Sequence, residues 1–197
     1  MAAGAARCLR TTRYWMAAVL LLALPLSSEA RDAVDPRLRA ALIEAVHSSD
    51  SFENRYVAEV WLTDMSHRLR SRVSDPQERV RILTLVHQEA RHAGLEPELV
   101  LAVIEVESNF NRFAISPAGA RGLMQIMPFW LDEIGAGDDN LFHLRTNLRF
   151  GTTILRHYMD IEEGNLVRAL ARYNGSLGQT WYPERVFRAW EQRWYPH

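Results

Sequence analysis

Pro97-Glu98-Leu99-Val100-Leu101-Ala102-Val103-Ile104-Glu105-Val106-Glu107-Ser108 reads as a helix, and both fold and chemistry follow outward from it. Proline suits the first helical position, where its missing N–H costs no hydrogen bond. Val100, Val103, Ile104 and Glu107 stand at i, i+3, i+4 and i+7, so they share one face. A carboxylate thus closes an apolar stripe at a helix C-terminus. Burial desolvates its charged form and the negative helix end repels it, so its pKa is expected to rise. A carboxyl still protonated near neutral pH is what a general acid requires. The same spacing also fits a helix-end carboxylate that reaches out to water. Glu105 points about 200° away on the face of Glu98 and Leu101, and reads as a solvated or peripheral carboxylate.

Helix signals dominate on both sides of this stretch. A first helix is predicted from Pro36 to His47, and Asp50-Ser51 is the expected cap of a longer one running to Arg72. Asp75-Pro76-Gln77-Glu78 has the N-cap, first-turn proline and capping-box glutamate of a third, which stops at Gly94. After Ser108, a Gly-, Ala- and Pro-containing loop runs from Asn109 to Arg121, then a short helix is predicted over 122–127, stopped by Pro128. Further helices are expected at 129–134, 146–162, 165–173 and 184–194, with 135–143 a loop. The fold class is therefore mostly α. The pattern leaves open whether the helices before residue 75 join the same core or form an appendage.

The chain has 197 residues and a net charge of −1, so nothing points to a nucleic-acid partner. All 23 basic residues are Arg. Arg7, Arg10 and Arg13, the 12-residue apolar run Trp15–Leu26, and Ser28-Glu29-Ala30 have the layout of a secretory signal ending at residue 30. The run is too short to span a bilayer comfortably, and the expectation is an exported chain with no membrane span after cleavage. No Cys directly follows the run, which argues against a lipoprotein. Residues 31–197 would carry 20 Arg and 23 acidic residues, a charge of −3, and no thiol, because Cys8 is the single cysteine. The seven His residues lack metal-ligand spacing, so neither a metal nor a cofactor is expected.

Glu107-Ser108-Asn109-Phe110 is followed by Ala114-Ile115-Ser116-Pro117-Ala118-Gly119-Ala120-Arg121-Gly122-Leu123-Met124-Gln125-Ile126-Met127-Pro128, and later by Tyr173-Asn174-Gly175. Three ordered blocks of this kind resemble the soluble lytic transglycosylase (SLT) family, whose pattern is E-S-x-F, then A-x-S-x-x-G-A-x-G-L-M-Q-x-M-P, then A-x-Y-N. The resemblance covers roughly residues 85–190. It implies a lysozyme-like helical domain, here 75–197 with an N-terminal helical extension at 31–74, and a cleft for the alternating N-acetylglucosamine and N-acetylmuramic acid of peptidoglycan. By position, Glu107 matches the family's catalytic glutamate. Ser116, Gln125 and Tyr173 match residues lining the site, Met124 a Met under the bound sugar, and Asn174 the Asn beside that Tyr. Each has a plainer reading: Met124 as core, Ser116 as a turn residue, Tyr173 as packing. Gly119 and Gly122 are expected to let the loop return against the helix bearing Glu107.

The implied chemistry needs one carboxylate. Glu107 protonates the glycosidic oxygen, then takes the proton of the muramic C6 hydroxyl as that oxygen attacks C1, leaving a 1,6-anhydro end. An intramolecular nucleophile removes the need for the second carboxylate of ordinary glycoside hydrolases. The expected partner is the peptidoglycan glycan strand, and the expected place the bacterial periplasm, at the cell wall. Two other readings stand beside this one: a goose-type-lysozyme-like hydrolase drawing a base from Asp132, Glu133, Asp138 or Asp139, and a non-catalytic glycan-binding scaffold. The chain departs from the family pattern at Phe129-Trp130, where a small residue and Thr are usual, and at Arg172, where Ala is usual. The repeated Trp181-Tyr182-Pro183 and Trp194-Tyr195-Pro196 fit packing of a last helix or a sugar-stacking platform.

Overall fold

The computed structural model describes residues 36–48, 51–135 and 139–195. The expected secretory signal, Cys8, Asp50 and Asp138 lie outside the described residues. All described residues belong to one compact unit, Val34–His197. Its helices are α1 (Pro36–Ser48), α2 (Arg55–Leu69), α3 (Pro76–His92), α4 (Pro97–Ser108), α5 (Trp130–Ile134), α6 (Leu144–Ile161), α7 (Leu166–Asn174) and α8 (Trp181–Ala189). A π-helical turn, Trp190–Trp194, follows α8 directly. The mostly α expectation holds.

α4 is the central element because its sequence is apolar almost all round. Every residue from Pro97 to Ile104 is buried, as expected of a helix covered on all sides. α3, α8 and the π-turn all pack against it. α3 also contacts α1, α2 and α6, while α7 bridges α6 and α8. Leu62, Met65 and Leu69 of α2 and Leu42 of α1 join the same apolar cluster as Val100 and Ile104. The helices before residue 75 therefore contribute to the core that surrounds α4. Each fully buried Leu or Ile in that cluster contributes about 1.5–3 kcal/mol.

Local contacts explain the boundaries. Asp75 caps α3 by accepting from the Gln77 N–H, and Glu78 pairs with Arg112 at 3.6 Å. The start of α2 departs from expectation. Its cap is Asn54, whose Oδ1 accepts from the Tyr56 and Val57 N–H groups at 3.0 Å. Ser51 is unavailable, since its hydroxyl lies 2.9 Å from His87 Nδ1. Phe52 stacks on the His87 ring at 3.6 Å. Burial, with Arg91 nearby, pulls the His87 pKa down to about 4. The ring is thus neutral at pH 7, and its Nδ1 shares a hydrogen bond with the Ser51 hydroxyl.

The reading of Glu105 as solvated or peripheral is overturned, and Glu98 on the same face is covered as well. Glu98 is buried and accepts from Trp61 Nε1 at 2.6 Å. Glu105 is 9% exposed and accepts from Arg72 at 3.0 Å, Arg193 Nε at 2.8 Å and Trp194 Nε1 at 2.8 Å. Spacing within α4 carries no information on the α2 segment and the C-terminal turn that cover this face. Residues far away in sequence supply both the cover and the compensating donors.

Candidate active site

Val100, Val103 and Ile104 are fully enclosed, and Glu107 continues their face at the last turn of α4. Burial pushes the Glu107 pKa up to about 7, against the opposing pull of a Tyr182 hydrogen bond and the Arg185 cation. Tyr182 donates its hydroxyl to Glu107 Oε1 at 2.5 Å. The phenol is itself buried, so it stays protonated and keeps its proton to donate. The site therefore contains one carboxyl able to hold or release a proton near neutrality, with one fixed donor on it.

No local sequence pattern ties Tyr182 or Arg185 to Glu107. Tyr182 lay in the Trp181-Tyr182-Pro183 pair, where no spacing to Glu107 marks it. The signal was the repeat itself: in each pair one ring is enclosed, Tyr182 and Trp194, while the other, Trp181 or Tyr195, is about half exposed. Packing thus accounts for one member of each pair. Trp194 also meets Phe110, which follows α4, with ring centroids 5.4 Å apart.

The 114–126 segment returns to α4 without forming the predicted helix. Gly122 has φ +77° and Gln125 φ +51°, left-handed values that no right-handed helix accommodates. Instead, Arg121 pairs with both Ile115 and Ile126 in antiparallel bridges. Side chains of three helices hold this fold-back by its backbone. Ser108 Oγ donates to the Leu123 carbonyl at 2.8 Å, so the residue beside Glu107 fastens the loop. Asn147 of α6, 1% exposed, accepts from the Met124 N–H and donates to the Arg121 and Leu141 carbonyls, each at 2.8 Å. Tyr173 of α7 donates to the Met124 carbonyl at 2.8 Å.

Gly122 is required on two counts. A Cβ there would lie 2.3 Å from Asn147 Nδ2 and 2.6 Å from the Leu141 carbonyl, in a left-handed backbone. Gly122→Ala should destabilise the fold by about 2–3 kcal/mol, measured by urea unfolding. The change would also release Asn147 from the loop.

The other expected residues divide clearly. Gln125 Nε2 donates to the Ala114 and Gly122 carbonyls at 3.2 and 2.9 Å, which leaves its amide oxygen as an acceptor. Ser116 Oγ accepts from the Ala120 N–H at 3.0 Å, leaving its hydroxyl proton to donate. Asn174 is exposed at the end of α7. Met124 is fully enclosed, and Gly151 of α6 leaves room for it: a Cβ there would stand 2.3 Å from its Sδ. Its place is thus beneath the loop. Arg172 is turned to Glu162, its Nε donating at 2.7 Å. Phe129 is 52% exposed with Trp130 beside it, centroids 5.1 Å apart. Among the described residues no group of three His, Cys, Asp or Glu side chains is placed to hold a metal.

A helical domain with one proton-holding carboxyl at the end of its central helix, faced by a pinned fold-back loop, is the class defined by this geometry. The family model for the transglycosylase SLT domain matches residues 84–192, and the chain belongs to that family. It is 52% identical over 46 residues to a membrane-bound lytic murein transglycosylase C of Actinobacillus pleuropneumoniae, covering 23% of this chain and 13% of the relative. A Cronobacter sakazakii protein of the same name is 29% identical over 119 residues, covering 50% and 32%. A transglycosylase of Enterobacteria phage PRD1 is 34% identical over 102 residues, covering 48% and 37%. The chain thus spans well under half the length of these relatives. Among solved structures, a lytic transglycosylase Slt of Pseudomonas aeruginosa is 22% identical with a TM-score of 0.44, covering 81% of this chain and 32% of that one.

Proposed function

We propose that this chain is a peptidoglycan lytic transglycosylase that cleaves the β-1,4 bond between N-acetylmuramic acid and N-acetylglucosamine, with Glu107 as its single acid/base. The observation carrying this reading is the Glu107 carboxyl itself, buried to a pKa of about 7 and held by the Tyr182 hydroxyl at 2.5 Å. Protonated, it delivers its proton to the glycosidic oxygen. Ionised, it is stabilised by Tyr182 and by Arg185, and removes the proton of the C6 hydroxyl as that oxygen closes on C1. The muramic C6 hydroxyl supplies the nucleophile in this mechanism, so it needs no second carboxylate beside Glu107. A hydrolase with a separate base to activate water needs a second carboxyl roughly 6.5–9.5 Å away. Ser116 (as donor), Gln125 (as acceptor) and Asn174 are assigned to sugar contacts. Tyr173 fastens the loop at the Met124 carbonyl, and the Met124 side chain packs it against Gly151 of α6. Family membership and the names of the relatives support murein as substrate and an exported, periplasmic location.

The purified protein should release muropeptides ending in 1,6-anhydro-muramic acid from murein sacculi, read by mass spectrometry. Reducing muramic ends would assign the hydrolase reading, and no release at all the scaffold. The acid limb of the mechanism also fixes a pH dependence. Cleavage needs protonated Glu107, so the rate should be high below pH 7 and fall as pH rises through about 7. Tyr182 favours the charged form, and Tyr182→Phe should therefore move that fall to higher pH while lowering the maximal rate by about tenfold. A pH–rate profile of the two proteins checks this shift.

A further inference from the structure

A cavity lies between α1, α3 and the start of α6, with a volume of about 830 Å³. That is within the range of small-ligand sites, about 300–1,000 Å³. None of Glu107, Gln125, Tyr173 and Tyr182 lines it. We infer that this cavity binds the carboxylate end of a short peptide, at a site separate from the one containing Glu107.

Charge is the first argument. Arg81, Arg112 and Arg145 line the cavity. Glu89 is shared between Arg145 and Arg149, at 3.2 and 3.3 Å, and Glu78 stands 3.6 Å from Arg112. Arg81 makes no ion pair among the described residues. Three guanidinium groups thus line the cavity, and no Asp or Glu is among its described lining residues. Arg112 is loosely held as well: its Nη2 is 3.4 Å from the Phe142 carbonyl, and its Nε is buried with no partner. An entering carboxylate would give that guanidinium the short bidentate contact it lacks. The start of α6 forms one wall, and its N-cap His143 offers no side-chain acceptor, so the first N–H groups of this helix add to the attraction for an anion.

The remaining lining selects the class of anion. Gln77, Gln88 and Thr84 supply amide and hydroxyl groups, and Thr84 Oγ1 is buried without a partner. Ala41, Ala45, Val80 and Leu85 supply short apolar surface. No Trp, Tyr or Phe lines the cavity, so the flat ring on which a sugar would stack is missing. Backbone amides with small side chains match this mixture better than a glycan or a bare inorganic ion.

Isothermal titration of the full chain with N-acetyl-trialanine, its C-terminal amide and inorganic phosphate tests the inference. The acid should bind, with the amide and phosphate each weaker by at least about tenfold. Arg81→Gln with Arg145→Gln should weaken the acid by a similar factor, with the thermal midpoint kept as a check on folding. Glu107→Gln should bind it as the unmodified chain does. Equal binding of the amide or of phosphate, unchanged binding by the folded double variant, or no binding of the acid at millimolar concentration would each overturn the inference. Should the double variant unfold, amide chemical-shift changes in the unmodified chain decide: changes at Thr84 and Leu85 support the site, and changes confined to Gln125 and Tyr182 refute it.

Discussion

Glu107→Gln should lower the release of muropeptides from murein by about 10²–10⁴-fold, the contribution of a positioned general acid, while the protein stays folded. The same substitution should stabilise the protein at alkaline pH. The carboxyl rises from 4.5 to about 7 on folding, so the native state binds its proton more tightly than the unfolded chain. Below pH 4.5 both states are protonated and nothing is lost. As pH climbs from 4.5 through 7, the native state must ionise a buried group, at a cost that levels off at about 3 kcal/mol. Glutamine carries no charge and escapes that cost. Urea unfolding should therefore find the variant more stable than the parent at pH 8 and equal to it near pH 4. Loss of cleavage together with gain of stability separates an acid held in an unfavourable place from a residue needed for the fold. If the variant cleaves as the parent does, Glu107 is not the acid.

Glu105→Ala should have the opposite profile: a large loss of stability and a smaller loss of rate. The substitution strips the acceptor from Arg72, Arg193 and the enclosed Trp194 indole at once. Breaking a buried ion pair typically costs about 3–5 kcal/mol. The Arg193 side chain is 40% exposed and recovers water, so about 2–4 kcal/mol is expected here. Because the π-turn continues α8, loosening it also loosens Tyr182, and the rate should fall with the pH limb shifted as in Tyr182→Phe. Glu105→Gln keeps an acceptor for Trp194 and should be milder in denaturant unfolding. Equal stability of all three proteins would show that this cluster does not anchor the C-terminal turn.

The parts of the molecule legible in sequence were those decided by neighbours in sequence. Pro97–Ser108 was bounded correctly because Pro97 starts it and an unbroken apolar run fills it. The elevated Glu107 pKa was legible through the i, i+3, i+4, i+7 stripe, which signals the burial that raises it. The family pattern supplied the loop residues, and Gly122 does occupy the left-handed conformation expected of it. What failed depended on distant chain. Leu123, Met124 and Ile126 have helical apolar spacing, yet backbone bonds to Ser108, Asn147 and Tyr173 hold them in a bridged turn. Glu105 looked solvated because Arg72 and Arg193 are 33 and 88 residues away from it. Tyr182 reaches Glu107 from 75 residues downstream, and no periodicity within one helix could have found it. Asn54, not Ser51, caps α2 for a related reason, since the Ser51 hydroxyl meets His87 across the fold.

The decisive quantity is the proton affinity of Glu107 in the folded protein. Carboxyl ¹³C NMR, with the resonance assigned by its disappearance in Glu107→Gln, measures this quantity residue by residue across pH 3–9. A midpoint near 7, falling on the same pH as the decline in muropeptide release, is the predicted result. A midpoint at an ordinary glutamate value, with cleavage continuing far above it, would contradict the account.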